Sequence, residues 1–206
     1  MTPRAFDPAT LAYYAREAES YAAAWPDRLN PRLIAFLKRL PPGARILELG
    51  CGAGRDSAHM IAAGFDVEPT DGVPELAAQA ERRLGRPVRI LRFDALAEVA
   101  AYDAVWAHAS LLHVPPAALP AIVHRIRRAL RPGGWHFANF KAGTGSGRDH
   151  LGRYYHYPDL ARLRTLYESA GPWATLEIQS YQDGTYGGGQ IPWLAITVRR
   201  PLLAED

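Results

Sequence analysis

The residues best placed to do chemistry lie in one run, ARILELGCGAGRDSAHM at positions 44–60. A short apolar strand ends in an acid, Glu48, and passes into a turn, Gly50, Cys51, Gly52, Ala53 and Gly54, that opens a helix. The G-x-G-x-G spacing lets backbone approach a nucleoside closely and leaves free N–H groups at the helix start. A dinucleotide site would show G-x-G-x-x-G, with a small third residue making room for a pyrophosphate. Position 55 is Arg. Glu48 also fits poorly beside a pyrophosphate but well beside a cationic ligand, so the motif reads as a site for S-adenosylmethionine. A plain strand-to-helix turn also uses glycine, so the motif needs support from elsewhere in the chain. Cys51, between two glycines, reads as a small turn residue rather than a nucleophile.

Other candidates follow from the rule that ligands in an open parallel sheet bind beyond the carboxyl ends of its strands. The second strand ends at Asp71 and Gly72, about 20 residues past the glycine turn, where an acid would accept both ribose hydroxyls. Asp66 competes but begins that strand, and Asp71 could instead serve only the helix start before Pro74. The third strand ends in Phe93, Asp94 and Ala95. There Asp94 can accept from an adenine amine while the Ala95 N–H faces a ring nitrogen, or Asp94 can simply cap the short helix that follows. In the fourth strand end, WAHAS, the backbone of Ala107 and His108 should pass under the methionine part of the ligand. Arg55 could bind its carboxylate or lie on the surface. The loop beyond holds His108, Ser110 and His113 before Val114, Pro115 and Pro116. His113 is the candidate base or acceptor-orienting group, its alternative being a structural histidine bonded to backbone carbonyls. Tyr14 and Tyr21 could fold over the site as a lid, and Arg153 or Tyr154, in GRYYHY, could line an acceptor pocket.

The elements that must hold these residues alternate along the chain. Helices are predicted over 8–24 and 31–40, then strands over 44–49, 65–70, 88–93, 104–107 and 135–140, with helices over 55–63, 74–84 and 117–130 between them and a helical turn near 95–99. Such alternation implies a parallel sheet with right-handed crossovers. A glycine-rich loop over 143–152 precedes a helix over 158–170, and two extended runs, 174–181 and 193–199, are joined by DGTYGGGQ closely enough to be antiparallel. With 206 residues, the chain fits one α/β domain, its first 40 residues forming a helical lid on a core over 41–206. The net charge of +3 is too slight to imply nucleic acid, and no stretch approaches a membrane span, so a cytoplasmic protein is expected. One cysteine excludes an internal disulfide and a cysteine-rich zinc site. The chain also lacks H-E-x-x-H, G-x-S-x-G and a P-loop lysine, and no N-P-P-Y or D-P-P-Y follows the fourth strand.

The runs ILELGCGAGRDS, GFDVEPTDGVPE, YDAVWAHASLLHVP and LRPGGW resemble successive motifs of the class I S-adenosylmethionine-dependent methyltransferases. The likeness is to a small bacterial branch with a GRD motif, similar to tellurite-resistance and thiopurine methyltransferase-like proteins, and covers about residues 42–171. It implies a doubly wound, seven-stranded sheet ordered 3-2-1-4-5-7-6, with strand 7 antiparallel. It also places Glu48, Gly50, Gly52 and Gly54 in the glycine motif, Asp71 on the ribose and Asp94 on the adenine. Gly72 and Val73 depart from the family's bulky residue followed by Ser, which leaves one adenine face unassigned. The expected activity is methyl transfer to a small molecule, with RNA or protein as the other acceptor classes. A nicotinamide-dependent oxidoreductase, disfavoured by Arg55 and by the lack of a Tyr-x-x-x-Lys pair, and a non-catalytic cofactor-binding protein are the rivals.

Overall fold

In the computed structural model, which describes residues 5–24, 28–184 and 189–202, strands and helices alternate as the sequence pattern requires. Three helices come first, α1 (Pro8–Arg16), α2 (Ala18–Ala24) and α3 (Pro31–Leu37). There follow β1 (Arg45–Leu49), α4 (Arg55–Ala62), β2 (Asp66–Asp71), α5 (Pro74–Leu84), β3 (Arg89–Ile90), β4 (Tyr102–Ala107), α6 (Leu119–Ala129) and β5 (Leu130–Lys141). The chain continues through β6 (Gly145–Arg148), β7 (Tyr154–Tyr157), α7 (Leu160–Glu168), β8 (Thr175–Gly184) and β9 (Gln190–Arg199). The main sheet is ordered β3-β2-β1-β4-β5-β9-β8, and β9 runs antiparallel to both its neighbours. With β6 and β7 set aside, since they pair only with each other, this is the expected 3-2-1-4-5-7-6.

Both faces of the central strands are apolar because helices cover both. On one face Leu47, Leu49 and Val105 join Ile122, Val123 and Ile126 of α6 in the larger core. On the other, Ile46, Ala104, Trp106 and Phe137 pack against Leu33 and Phe36 of α3 and Met60 of α4. Each such side chain contributes about 1.5–3 kcal/mol by leaving water. This packing fixes the C-terminal ends of β1, β2, β4 and β5 at one edge, where a ligand site can form.

Four local expectations are corrected. The first helical stretch is not continuous: Glu17 leaves helical geometry (φ −99°, ψ 12°), ending α1, which the Asp7 carboxylate caps through the Thr10 N–H at 2.8 Å. The second ends at Leu37 rather than Leu40. The third strand pairs over only Arg89 and Ile90, and Phe93–Ala95 form a 3-10 turn. The glycine-rich segment is no loop throughout, since Gly145–Arg148 ladders with Tyr154–Tyr157. Glycines give a strand no alternation to read; what pins this one is Arg148, which ion-pairs with Asp7 at 2.7 Å and holds that carboxyl down at about 2. Part of the DGTYGGGQ turn lies outside the described residues. Among the described residues, no helix is long and apolar enough to cross a membrane.

Candidate active site

The glycine turn follows β1 directly, with Gly50, Gly52 and Gly54 all at positive φ. Gly54 starts α4 without a side-chain cap, and a Cβ there would lie 3.1 Å from Ala80 and 3.2 Å from Leu84, so its bareness lets α5 close on the turn. Beneath the turn are two buried carboxylates. Glu48 accepts from the Ser57 hydroxyl, and burial, with Asp56 nearby, pushes its pKa up to about 8. Asp56 Oδ2 accepts from Trp106 Nε1 at 2.9 Å and Asn30 Nδ2 at 3.2 Å, while its Oδ1 accepts no hydrogen bond among the described residues and lies 3.5 Å from Arg55 Nε. His108 stacks on Trp106 with its Nδ1 3.6 Å from Asp56, and burial lowers its pKa. Two acids this enclosed are costly as a pair of charges, and the cost is met by Arg55 beside Asp56 and by the proton that Glu48 keeps until a cation arrives.

The turn opens on a cavity of about 870 Å³, whose wall includes Glu48, Arg55, Asp56, His108, His113, Tyr14, Tyr21 and Arg153. Tyr21 overlies the turn, its ring 3.5 Å from where a Gly52 Cβ would stand, and meets Tyr14 edge-on at 5.3 Å. His113 is bonded at both ring nitrogens. Nδ1 is 2.6 Å from the Tyr154 carbonyl, which can only accept, so Nδ1 carries the proton. Nε2 must then accept from the Tyr14 hydroxyl at 3.0 Å, and that hydroxyl accepts from Arg153 Nη1 at 3.2 Å. Burial keeps the imidazole neutral, with its pKa down at about 4, and drives the Tyr14 phenol upward. Arg153, itself buried, is held by Asp149 at 2.7 and 2.9 Å.

Residues 46–134 match the methyltransferase domain family. The chain is 36% identical over 151 residues, 63% of its length, to a ubiquinone biosynthesis O-methyltransferase of Xylella fastidiosa. It spans between 28% and 61% of the length of the curated relatives it matches. In structure it is similar to an S-adenosylmethionine-dependent methyltransferase of Methanosarcina mazei (TM-score 0.74, 19% identity, 85% of this chain and 99% of that one). It is also similar to the 1,6-didemethyltoxoflavin-N1-methyltransferase of Burkholderia thailandensis (TM-score 0.71, 24% identity, 93% and 85%). The fold is that of the class I methyltransferases.

Within this methyltransferase fold, the remaining expected residues sit beside the cavity rather than on its wall. Asp71 lies behind the turn, its carboxylate accepting from the Gly52 and Val73 N–H groups at 2.9 Å each, and burial raises its pKa to about 6. Gly72 stands against Arg92 and the Leu91 carbonyl, and Arg92 reaches over the Phe6 ring. Asp94 is bound to Arg92 Nε at 3.2 Å, and the Ala95 N–H is spent on the Arg92 carbonyl. The Ala95 N–H expected to face a ring nitrogen is therefore taken. Ala107 is buried at the end of β4. Tyr154 gives its N–H to Thr10, and it is Tyr155, its neighbour on β7, that faces the cavity. Sequence reasoning missed Tyr155, Asp56, Asn139, Lys141 and Trp193. Asp56 alone had a signal, the acid in the glycine motif itself.

Proposed function

We propose that this protein is an S-adenosylmethionine-dependent methyltransferase acting on a small molecule, in the GRD branch that its glycine motif resembles. Buried Glu48 carries this reading, because on the wall of a cavity sized for a cofactor and a modest acceptor it ionises readily only with a cation beside it. When bound, S-adenosylmethionine would supply an activated methyl group on a sulfonium. The chain's part is to hold and enclose. Glu48 and Asp56 favour positive charge, the uncapped start of α4 and Arg55 favour a carboxylate, and Tyr21 closes over the turn. The helices α1 and α2, packed through Ala18, Leu11 and Tyr14 on Val73 and Leu76, act as the lid over the core. An acceptor proton passes to the Tyr14 oxygen as the Tyr14 proton moves to His113 Nε2. Positioning supplies the rest of the acceleration.

Calorimetric titration with S-adenosylmethionine, S-adenosylhomocysteine and NAD tests the cofactor, and a screen for S-adenosylhomocysteine release tests the acceptor. Binding of the first two and not NAD is expected. Affinity for S-adenosylmethionine should also strengthen between about pH 6 and about pH 9, because a cation is bound best by ionised Glu48. Without ligand, the sign reverses. The folded-state pKa of Glu48 is raised, so the stability tied to its proton is present at low pH and is lost as pH climbs through about 8. Glu48→Gln should flatten both slopes. NAD binding alone, or an affinity indifferent to pH, would overturn the assignment.

Asp71 is proposed to hold the ribose hydroxyls at the end of β2. Asp71→Ala is expected to weaken cofactor binding by about 1.5–3 kcal/mol, the worth of hydrogen bonds to a charged group, and to loosen the Gly52 N–H. Asp66, at the other end of β2 beside Arg45, should matter little. Equal losses from Asp66→Ala and Asp71→Ala in folded protein would remove this assignment.

A further inference from the structure

The wall of the cavity where β5 ends carries two donors without a hydrogen-bond partner among the described residues. Lys141, the last residue of β5, is only 9% exposed, and its ammonium lies 3.7 Å from the centre of the Tyr155 ring. It makes no ion pair or hydrogen bond among the described residues. Directly across the β5–β9 ladder from it stands Trp193, whose buried indole N–H has no acceptor among the described residues. Three other cations on the cavity wall are engaged: Arg39 with Glu177, Arg153 with Asp149, and Arg32 stacked on Tyr181. The cavity thus has a buried carboxyl, Glu48, at the glycine turn and, at the end of β5, an ammonium that no acid among the described residues pairs with. A neutral carbonyl would serve the indole N–H but leave the ammonium without a counter-charge, whereas an anionic oxygen group serves both.

We propose that this wall is the anion-binding subsite for the methyl acceptor: Lys141 and the Trp193 indole hold a carboxylate, phosphate or ionised phenol of a small molecule whose body lies against Tyr155. The proposal rests on the methyltransferase reading, and it narrows the acceptor to acidic small molecules. Enclosure supports the size, because the Tyr155 ring on β7 lies against the Lys141 ammonium. Burial and the neighbouring Arg153 bring the Lys141 pKa down to about 8, the direction expected of a cation waiting for its counter-ion.

The test titrates benzoate, phenyl phosphate and neutral benzamide into protein saturated with S-adenosylhomocysteine. The acids should bind at least about tenfold more tightly than the amide, as a charge-assisted hydrogen bond requires. Lys141→Met should erase that preference, Lys141→Arg should keep it, and Trp193→Phe should reduce it. Melting temperature and S-adenosylhomocysteine affinity report whether each variant is folded. Acid binding should also decline above about pH 8 as Lys141, facing Arg153, Asp149, His113 and Tyr155, loses its proton. The subsite is overturned if benzamide binds as well as benzoate, if folded Lys141→Met keeps the preference, or if no acid binds. If S-adenosylhomocysteine itself does not bind, the methyltransferase reading fails separately, and the same titrations without it still judge the subsite.

Discussion

Gly50→Ala is expected to destabilise the protein by about 2–5 kcal/mol, from left-handed backbone strain and overpacking together. Gly50 has φ +77°, and a Cβ there would stand 2.5 Å from the Ser110 Cβ. Ser110 cannot retreat, since it is buried and its hydroxyl donates to the Leu49 carbonyl at 2.7 Å. The backbone cannot yield easily either, because the Gly50 and Cys51 N–H groups both donate to the Thr70 carbonyl at 2.9 Å. Gly64 supplies the control. Its φ is +85° but nothing lies within 4 Å of its missing Cβ, so Gly64→Ala should cost strain alone, about 1–2 kcal/mol. Chemical denaturation of both variants, and of Gly50→Ala combined with Ser110→Gly, separates the contributions. Gly50→Ala no worse than Gly64→Ala would show that the turn does not need a bare backbone against Ser110.

That comparison also marks what the sequence could reveal. The alternation of strands and helices and the glycine turn were legible because both are written locally, in apolar runs that alternate with amphipathic ones and in three glycines with an acid before them within seven residues, whereas the strand order came from the resemblance of whole motifs. What was hidden depends on residues far apart meeting. Asp56 is recognisable as an acid, but its partners Trp106 and Asn30 lie 50 and 26 residues away. Lys141 and Trp193 become neighbours only through the β5–β9 register. Tyr155 rather than Tyr154 faces the cavity because β7 pairs with a glycine-bearing strand that has no apolar alternation of its own, so the facing parity could not be read. The expected Ala95 contact failed for a related reason. The third strand pairs over only two residues, and the 3-10 turn after it consumes the N–H that a longer strand would have left free.

The largest effect on turnover is expected at His113, and the hydrogen bonds around it change what the experiment must contain. If His113 acted on the acceptor directly, its Nε2 lone pair would have to be open, yet the Tyr14 hydroxyl occupies it at 3.0 Å. In the proposed mechanism a proton from the acceptor therefore travels by way of Tyr14. Tyr14 alone is a poor base, since burial drives its pKa up and its own proton needs a destination. Neutral His113 provides one. A pKa near 4 is low for a base at neutral pH. It suffices for an oxygen acceptor, whose proton becomes strongly acidic only as the new bond to carbon forms. With an acceptor found by the release screen, His113→Ala and Tyr14→Phe should each lower turnover about 10²- to 10⁴-fold while leaving cofactor affinity nearly unchanged. The double variant should be no slower than either single one, because both remove the same relay. A purely structural histidine gives another pattern. Loss of its bond to the Tyr154 carbonyl would lower the melting temperature and disturb cofactor binding, with turnover falling only in proportion to folded protein. Full activity in a stable His113→Ala variant would leave methyl transfer to positioning alone, and full activity in Tyr14→Phe beside an inactive His113→Ala would replace the relay with direct contact.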